Sequence, residues 1–406
     1  MPAPLPDPRI LNVDGLRGFA LLGILVVNIA AFASPFYGLD ISDPVFADAR
    51  DKAVRIFISL FFETKFYLLF SFLFGYSFTL QMAAAERVGQ DIAPRMLRRL
   101  AGLWLIGLIH AVFLFRGDIL TTYAVLGVML LYLRDDQDGP LFKLAVGLIV
   151  ATVLLWTGVA VLDWIAPVRE DPIKIFDQAY QIQSAYAGTI REVIGQNLSS
   201  MSSVWIVLAL VQAPCALAMF LFGFIAGRHQ MLAHPQQHAP LLRRLTILGL
   251  FVGLPGALVY ALSGAFSTGT PWALAGFAIS LATAPFLTGA YVALGLRLFE
   301  TSIGARIRAA LAPAGQMALT NYLMQSLICA LMFYGYGLKL IGQLSPFIAF
   351  TIAIEIFVVQ LFLSRWWLAY HAYGPLEWLL RAATLRAWPR WYKPSAARQR
   401  RMAAEP

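Results

Sequence analysis

Long apolar runs constrain this chain more than any other feature. About ten recur between residues 16 and 364, each bounded by charge, Pro or Gly. Most approach the ~20 residues that a helix needs to cross ~30 Å of hydrocarbon. The expected fold is therefore an all-α integral membrane protein, a polytopic bundle of about ten transmembrane helices. The runs lie near 16–33, 54–81, 99–116, 119–133, 143–166, 202–227, 245–263, 272–296, 316–335 and 346–364, the fourth being short for a bilayer. Composition agrees: apolar residues make up 59% and charged residues 13%, against ~45–50% and ~25% in water-soluble domains. A soluble enzyme, a disordered chain and a secreted disulfide scaffold are excluded.

The charge balance then orients the bundle. The net charge of +9 comes from 31 Lys and Arg against 22 Asp and Glu. With an even number of spans and a cytoplasmic N-terminus, 22 of the basic residues fall on inner segments and 8 on outer ones, Lys65 lying within the second run. Basic residues concentrate on the cytoplasmic side, so both termini are expected there and no nucleic-acid partner is needed. The chain reads as one membrane domain over 1–406, with 365–406 a basic cytoplasmic tail carrying a short surface helix. That tail, Arg386 to Arg401 with Trp388, Trp391 and Tyr392, is expected against anionic lipid headgroups. A cleavable signal ending at Ala31-Phe32-Ala33 is the rival for the first run, but Asp14, Arg17 and Asn28 are out of place in a disposable segment.

Several chemistries leave no trace. Cys215 and Cys329 lie inside apolar runs without ligand spacing, so neither a disulfide framework nor a metal site is expected. No Walker loop, dinucleotide fingerprint or HExxH is present, and no internal repeat is evident. The largest outer insertion, about 167–201, holds a mixed-charge stretch from Ile175 to Val193 suited to an interfacial helix.

Function is sought among polar groups at membrane depth, which are costly unless paired or used. Asp14, Arg17 and Asn28 share one face of the first helix, within about 60° of each other at ~100° per residue. Asp14 and Arg17 can pair at i, i+3, and Arg17 is suited to gripping a phosphate. His110 and Asn28 sit at similar depth in the outer half, with Asp118 able to orient His110 or to pair with Arg116. The second run is interrupted by Glu63-Thr64-Lys65. Either the chain breaks there, with 54–62 at the outer interface, or a continuous helix turns these charges to a water-filled cavity. Glu355 is the candidate partner for Lys65. Asn321 and Gln325 share a face at i, i+4 and either bind a ligand or join helices. Near the end, Gly374-Pro375-Leu376-Glu377-Trp378 opens an amphipathic piece in which Glu377 can pair with Arg381.

These residues also carry a resemblance. Arg9-Ile10, Asp14-Gly15-Leu16-Arg17-Gly18-Phe19-Ala20 and Gly23-Ile24-Leu25-Val26-Val27-Asn28 resemble the opening of the YeiB family of bacterial inner-membrane proteins. Phe70-Ser71-Phe72-Leu73-Phe74-Gly75, Gly107-Leu108-Ile109-His110-Ala111 and Gly117-Asp118-Ile119-Leu120 follow in order. So do Met317-Ala318-Leu319-Thr320-Asn321-Tyr322 and Gly374 to Trp378, so the resemblance spans nearly the whole chain. That family is distantly similar to transmembrane acyltransferases of the heparan-α-glucosaminide N-acetyltransferase group, which share the Asp-x-x-Arg-Gly start. Those relatives move an acyl group from cytoplasmic acyl-coenzyme A to a sugar on the far side.

The resemblance implies a multi-pass protein of the bacterial inner membrane, with Arg17 near a cytoplasmic donor mouth and Asn28 in the conduit. The broader group uses a histidine at the outer end of the first span or in the loop after it. Here that position is Asn28, and residues 34–53 contain no His. Either His110 has taken over the acid–base role or the chemistry has been lost.

The leading expectation is a transmembrane acyltransferase acting on an envelope or exported acceptor. Acyl-coenzyme A is the donor and no metal takes part. Asp14, Arg17, Glu63, Lys65, Asn321, Gln325 and Glu355 are its candidate binding residues. His110, oriented by Asp118 or another carboxylate, is the acid–base group, with Asn28 polarising the thioester carbonyl. The alternative is a proton-coupled transporter of a small solute using Glu63, Lys65, His110 and Glu355. A lipid-binding scaffold without turnover is a third reading. Membrane lipids are the expected surroundings, and the oligomeric state is left open, a homodimer included.

Overall fold

A computed structural model describes residues 8–39, 41, 43–87, 89–167 and 171–393. The tail beyond 393, with Arg398, Arg400 and Arg401, and the outer residues 168–170 lie outside the described residues. Within them the chain is helical, with no strand. In order the helices are α1 (Pro8–Ala33), α2 (Ala49–Phe61), α3 (Lys65–Glu86), α4 (Ile92–Phe113), α5 (Leu120–Tyr132), α6 (Asp138–Ile165), α7 (Pro172–Ala187) and α8 (Ile190–Val207). They continue with α9 (Ala213–Arg228), α10 (Ala239–Leu248), α11 (Leu254–Phe266), α12 (Pro271–Glu300), α13 (Ser302–Gln316), α14 (Ala318–Phe333), α15 (Pro346–Tyr370) and α16 (Pro375–Leu385).

Eight helical stretches among the described residues are long and apolar enough to cross a membrane. The molecule is thus a polytopic helical membrane protein. Two of the ten expected runs are shorter: α5 has 13 residues and α14 has 16. Two stretches are rods built from helix pairs. A π-helical turn at Leu208–Gln212 joins α8 to α9, and another at Gly249–Gly253 joins α10 to α11. Each precedes a proline, Pro214 and Pro255, whose missing N–H disrupts the regular hydrogen-bond ladder locally.

Burial sorts the helices. In α1 61% of the best apolar window is buried, against 17% in α6. The first helix is therefore central to the bundle, packed against α3, α13, α14 and α15, while α6 is largely exposed apart from its contacts with α9 and α12. One close seam is α3 on α9. A Cβ on Gly75 would lie 2.0 Å from the Phe220 carbonyl oxygen, and one on Gly223 would lie 1.9 Å from that of Phe72. Only glycine permits this backbone approach.

Two expected boundaries shift. The stretch Ile175 to Val193 is not one interfacial helix, because it divides at Gly188-Thr189 into α7 and the start of α8. The Thr189 hydroxyl accepts from the Glu192 N–H while Glu192 returns to the Thr189 N–H at 2.6 Å. This capping box starts a new helix. At residues 62–64 the chain breaks, so the interrupted second run is two helices, α2 and α3. Thr64 holds the left-handed conformation with φ 64°, unfavourable for a β-branched residue.

Candidate functional site

Where α2 gives way to α3, the broken turn leaves Glu63 and Lys65 close to the same residue, Ser59. Glu63 Oε2 accepts the Ser59 hydroxyl at 2.8 Å and the Tyr260 hydroxyl at 3.0 Å. Lys65, with 0% exposure, donates Nζ to the Ser59 carbonyl at 2.7 Å and lies 5.5 Å from the centre of the Tyr260 ring. That carbonyl ends α2, where the last carbonyls lack helical donors and attract a cation. Glu355 is not the partner of Lys65. It is exposed on α15, because Lys65 finds its acceptor within its own broken hairpin.

Beside this turn lies a cavity of about 1200 Å³, at the end of the bundle where α1 terminates. Asn28, Tyr37, Arg55, Glu63, Tyr260 and Tyr322 are among the polar groups on its wall. Asn28 makes no side-chain hydrogen bond among the described residues, so its amide is available to a ligand. At the mouth, burial raises the Asp43 carboxyl, while the Val45 N–H and Arg55 draw it back down. Arg17, Lys65 and His110 do not line this space, and Asn28 and His110 do not meet in it.

His110 stands behind the wall. Its ring lies 5.1 Å from that of Tyr322, which faces the cavity. The imidazole is 1% exposed and held at both ends: Nδ1 is 2.8 Å from Asp118 Oδ1, and Nε2 is 2.8 Å from Ser326 Oγ. The other carboxylate oxygen, Asp118 Oδ2, accepts the Thr121 N–H and hydroxyl, both at 2.8 Å. Asp118 therefore orients His110 and does not pair with Arg116. Ser326 is absent from the sequence-based candidates. A lone Ser in an apolar run carries no signal until the fold sets it opposite His110.

At the opposite end of α1, Arg17 Nη1 meets Asp14 Oδ1 at 2.9 Å, and Nη2 donates to Ser77 Oγ. Arg99 lies within electrostatic reach of Arg17, Arg95, Arg381 and Glu377, and Arg98 Nε donates to the Thr384 carbonyl at 2.9 Å. Among the described residues, Arg95, Arg99 and Arg381 form no ion pair. The expected pair of Glu377 with Arg381 does not form. Glu377 instead accepts the N–H groups of Leu319 at 2.7 Å and Thr320 at 3.1 Å, and the Thr320 hydroxyl at 2.6 Å. It caps α14, whose first N–H groups have no helical partner and favour an anion. Burial nonetheless raises the Glu377 carboxyl, with the Thr320 and Leu319 donors pulling the other way.

Asn321 and Gln325 turn to α15 and not to the cavity. Asn321 Nδ2 donates to Ser364 Oγ at 2.9 Å, Gln325 Nε2 to Gln360 Oε1 at 2.8 Å, and Gln360 Nε2 to the Asn321 carbonyl at 3.0 Å. In lipid such amides find few other partners, and they join helices.

Fold and site together define a polytopic helical membrane protein with a large cavity at one end of α1 and a cluster of arginines at the other. Residues 226–387 match the family described as "Protein of unknown function (DUF418)". The chain is 34% identical to the uncharacterised protein YxaH of Bacillus subtilis (strain 168) over 411 residues, covering 95% of this chain and 96% of YxaH. It is 29% identical to the uncharacterised protein YeiB of Escherichia coli (strain K12), covering 93% and 97%. An uncharacterised 39.9 kDa protein of Bacillus acidopullulyticus is 28% identical over 93% of this chain and 94% of its own. The chain belongs to the DUF418 family, the YeiB group of proteins.

Proposed function

We propose that this protein is a transmembrane acyltransferase carrying an acyl group from cytoplasmic acyl-coenzyme A to an envelope or exported acceptor. The observation that carries the reading is His110, held by Asp118 one side chain behind a cavity large enough for an acceptor. A buried imidazole tied to a carboxylate is a general base with its tautomer fixed. Asn28, unpaired on the cavity wall, is the group to polarise the acyl carbonyl. The donor's phosphates would meet Arg17 and the unpaired Arg95, Arg99 and Arg381, since guanidinium binds phosphate in a bidentate fashion.

The reading extends the coarse fold to ten spans, with α5 and α14 completing the eight longer stretches. Both termini face the cytoplasm of a bacterial inner membrane, as the 22-to-8 distribution of basic residues supports. A C-terminal fusion that fluoresces only in the cytoplasm tests the orientation, and a dark fusion with an active alkaline phosphatase counterpart overturns it.

The chemical test is transfer from labelled acyl-coenzyme A by the purified protein. His110→Ala should lose it while keeping its elution profile and thermal stability, and undiminished turnover would sink the assignment. Acyl-coenzyme A should also raise the melting temperature, by the equivalent of ~2.7 kcal/mol at a hundredfold excess over Kd.

A second reading, proton-coupled transport of a small solute, is favoured by Glu63. This acid lines the cavity, and among the described residues only hydroxyls hydrogen-bond to it. It predicts solute flux in proteoliposomes driven by a pH gradient and no stabilisation by coenzyme A.

A further inference from the structure

We propose that Ser326 is a nucleophile that takes the acyl group as an ester before passing it on; this deepens the acyl-transfer reading and rests on it. Three separate elements bring the group together. The end of α4 supplies His110, the turn before α5 supplies Asp118, and α14 supplies Ser326, 216 residues after the histidine. Asp118 accepts from Thr121 on one oxygen and faces His110 Nδ1 with the other. A carboxylate can only accept there, so Nδ1 carries the proton and Nε2 turns a lone pair to the Ser326 hydroxyl. These are the geometry and the roles of a Ser-His-Asp triad, which recurs on unrelated folds.

Two further observations separate this from hydrogen-bonded helix glue. Several buried hydroxyls in the bundle donate back to the carbonyl four residues earlier. Ser71 does so to Tyr67 at 2.7 Å, Thr152 to Leu148 at 2.8 Å, Thr246 to Leu242 at 2.9 Å and Thr384 to Leu380 at 2.6 Å. That is the usual way a helical hydroxyl satisfies itself. Ser326 forgoes it, as do Ser280, Thr288, Thr320 and Ser364, but of these only Ser326 faces an imidazole, and His110 is its one partner among the described residues.

The second observation is Tyr322, one turn before Ser326 on the same face of α14. Its hydroxyl is buried and donates to no group among the described residues, while Tyr322 borders the cavity. A buried donor left unused is costly. The Tyr322 ring stands between the cavity and His110, and its unused hydroxyl is the donor the proposal assigns to the developing oxyanion.

In the first half-reaction Ser326 Oγ attacks the thioester carbonyl as His110 Nε2 takes its proton. The C–O bond forms, the C–S bond breaks, and His110 passes the proton to the departing thiolate, which leaves as the thiol. In the second, an acceptor hydroxyl from the cavity attacks the Ser326 ester and gives its proton to His110. That proton returns to Ser326 Oγ as the ester bond breaks. Tyr322 stabilises the oxyanion in both halves. No electrons are lost or gained, and the only reactants are an acyl thioester and a hydroxyl.

The test uses the full chain in detergent. A fluorophosphonate probe should label the wild type at Ser326, located by peptide mass spectrometry, and His110→Ala should abolish the labelling. Acetyl-coenzyme A without acceptor should leave an acetyl group on the same peptide. In Ser326→Cys that group should become labile to neutral hydroxylamine. Transfer should fall by at least roughly 10³-fold in Ser326→Ala.

Wild-type transfer by Ser326→Ala with a dead His110→Ala overturns the nucleophile and leaves the acyltransferase reading standing. Wild-type transfer by both overturns both. Should Ser326→Ala fail to fold, the fluorophosphonate result on the wild type decides: label elsewhere, or none, overturns the proposal. Label on Ser326 without any turnover of acyl-coenzyme A keeps the nucleophile and sinks its donor.

Discussion

Gly223→Ala is the sharpest test of how the bundle is held together. The new methyl carbon would stand 1.9 Å from the Phe72 carbonyl oxygen and 3.0 Å from the Tyr76 nitrogen. Contacts under 3.0 Å are not tolerated, so α3 and α9 must part by at least about 1.1 Å. The obstacle is backbone, and no rotamer change relieves it. A gap of this size forfeits a quarter to a half or more of the dispersion energy of each facing atom pair. The loss would run along a seam that includes the stacked Phe74 and Phe220 rings, 4.5 Å apart, and the buried Phe78 and Phe224.

Overpacking that forces backbone shifts costs about 1–3 kcal/mol, while Ala returns ~1 kcal/mol of helix propensity over Gly. A net loss of up to about 2 kcal/mol is expected. Gly158→Ala on the exposed face of α6 has nothing within 4 Å of its Cβ and should gain up to ~1 kcal/mol. Unfolding in detergent by titration with sodium dodecyl sulfate, followed by far-UV circular dichroism and tryptophan fluorescence, measures both. Equal stabilities of the two variants would refute the close approach of α3 and α9.

Other perturbations test single contacts. Asp51 is 2% exposed and accepts the Phe347 N–H at 3.0 Å, at the start of α15; Asp51→Ala should cost about 1.5–3 kcal/mol in the same titration, and a loss within error would remove that anchor. The raised carboxyl of Glu377 means that the folded chain holds its proton more tightly than the unfolded one. Stability on this account is fullest below the ordinary carboxylate range and declines as the pH rises through Glu377's own pKa. Melting curves across that window should lose this slope in Glu377→Gln, and an unchanged slope would contradict the buried cap. Cys215 and Cys329 are both buried, so maleimide should modify neither in the native detergent-solubilised protein and both after denaturation; prompt native labelling would show the packing around them to be open.

The sequence determined the solvent and the local geometry. Apolar run lengths select membrane helices, and the i, i+3 spacing of Asp14 and Arg17 gives their ion pair because both lie on one helix turn. Glu63-Thr64-Lys65 marked the interruption, and Pro375 marked the start of α16. These are local facts, set by a few neighbouring residues, so a single sequence carries them. The capping box at Thr189 and Glu192 was legible too, although hydropathy alone ran across it.

Tertiary structure decided which polar groups meet. Lys65 takes the Ser59 carbonyl and not Glu355, Glu377 takes the free N–H groups of α14 and not Arg381, and Ser326 takes His110. Lys65 finds its acceptor six residues away once the chain breaks at Thr64, but for Glu377 and Ser326 the partner lies 58 and 216 residues away, and such nearness depends on how the helices pack. Apolar faces that look alike in sequence do not specify that packing. The cavity, the arginines at the far end and the Ser326–His110–Asp118 group are therefore products of the fold.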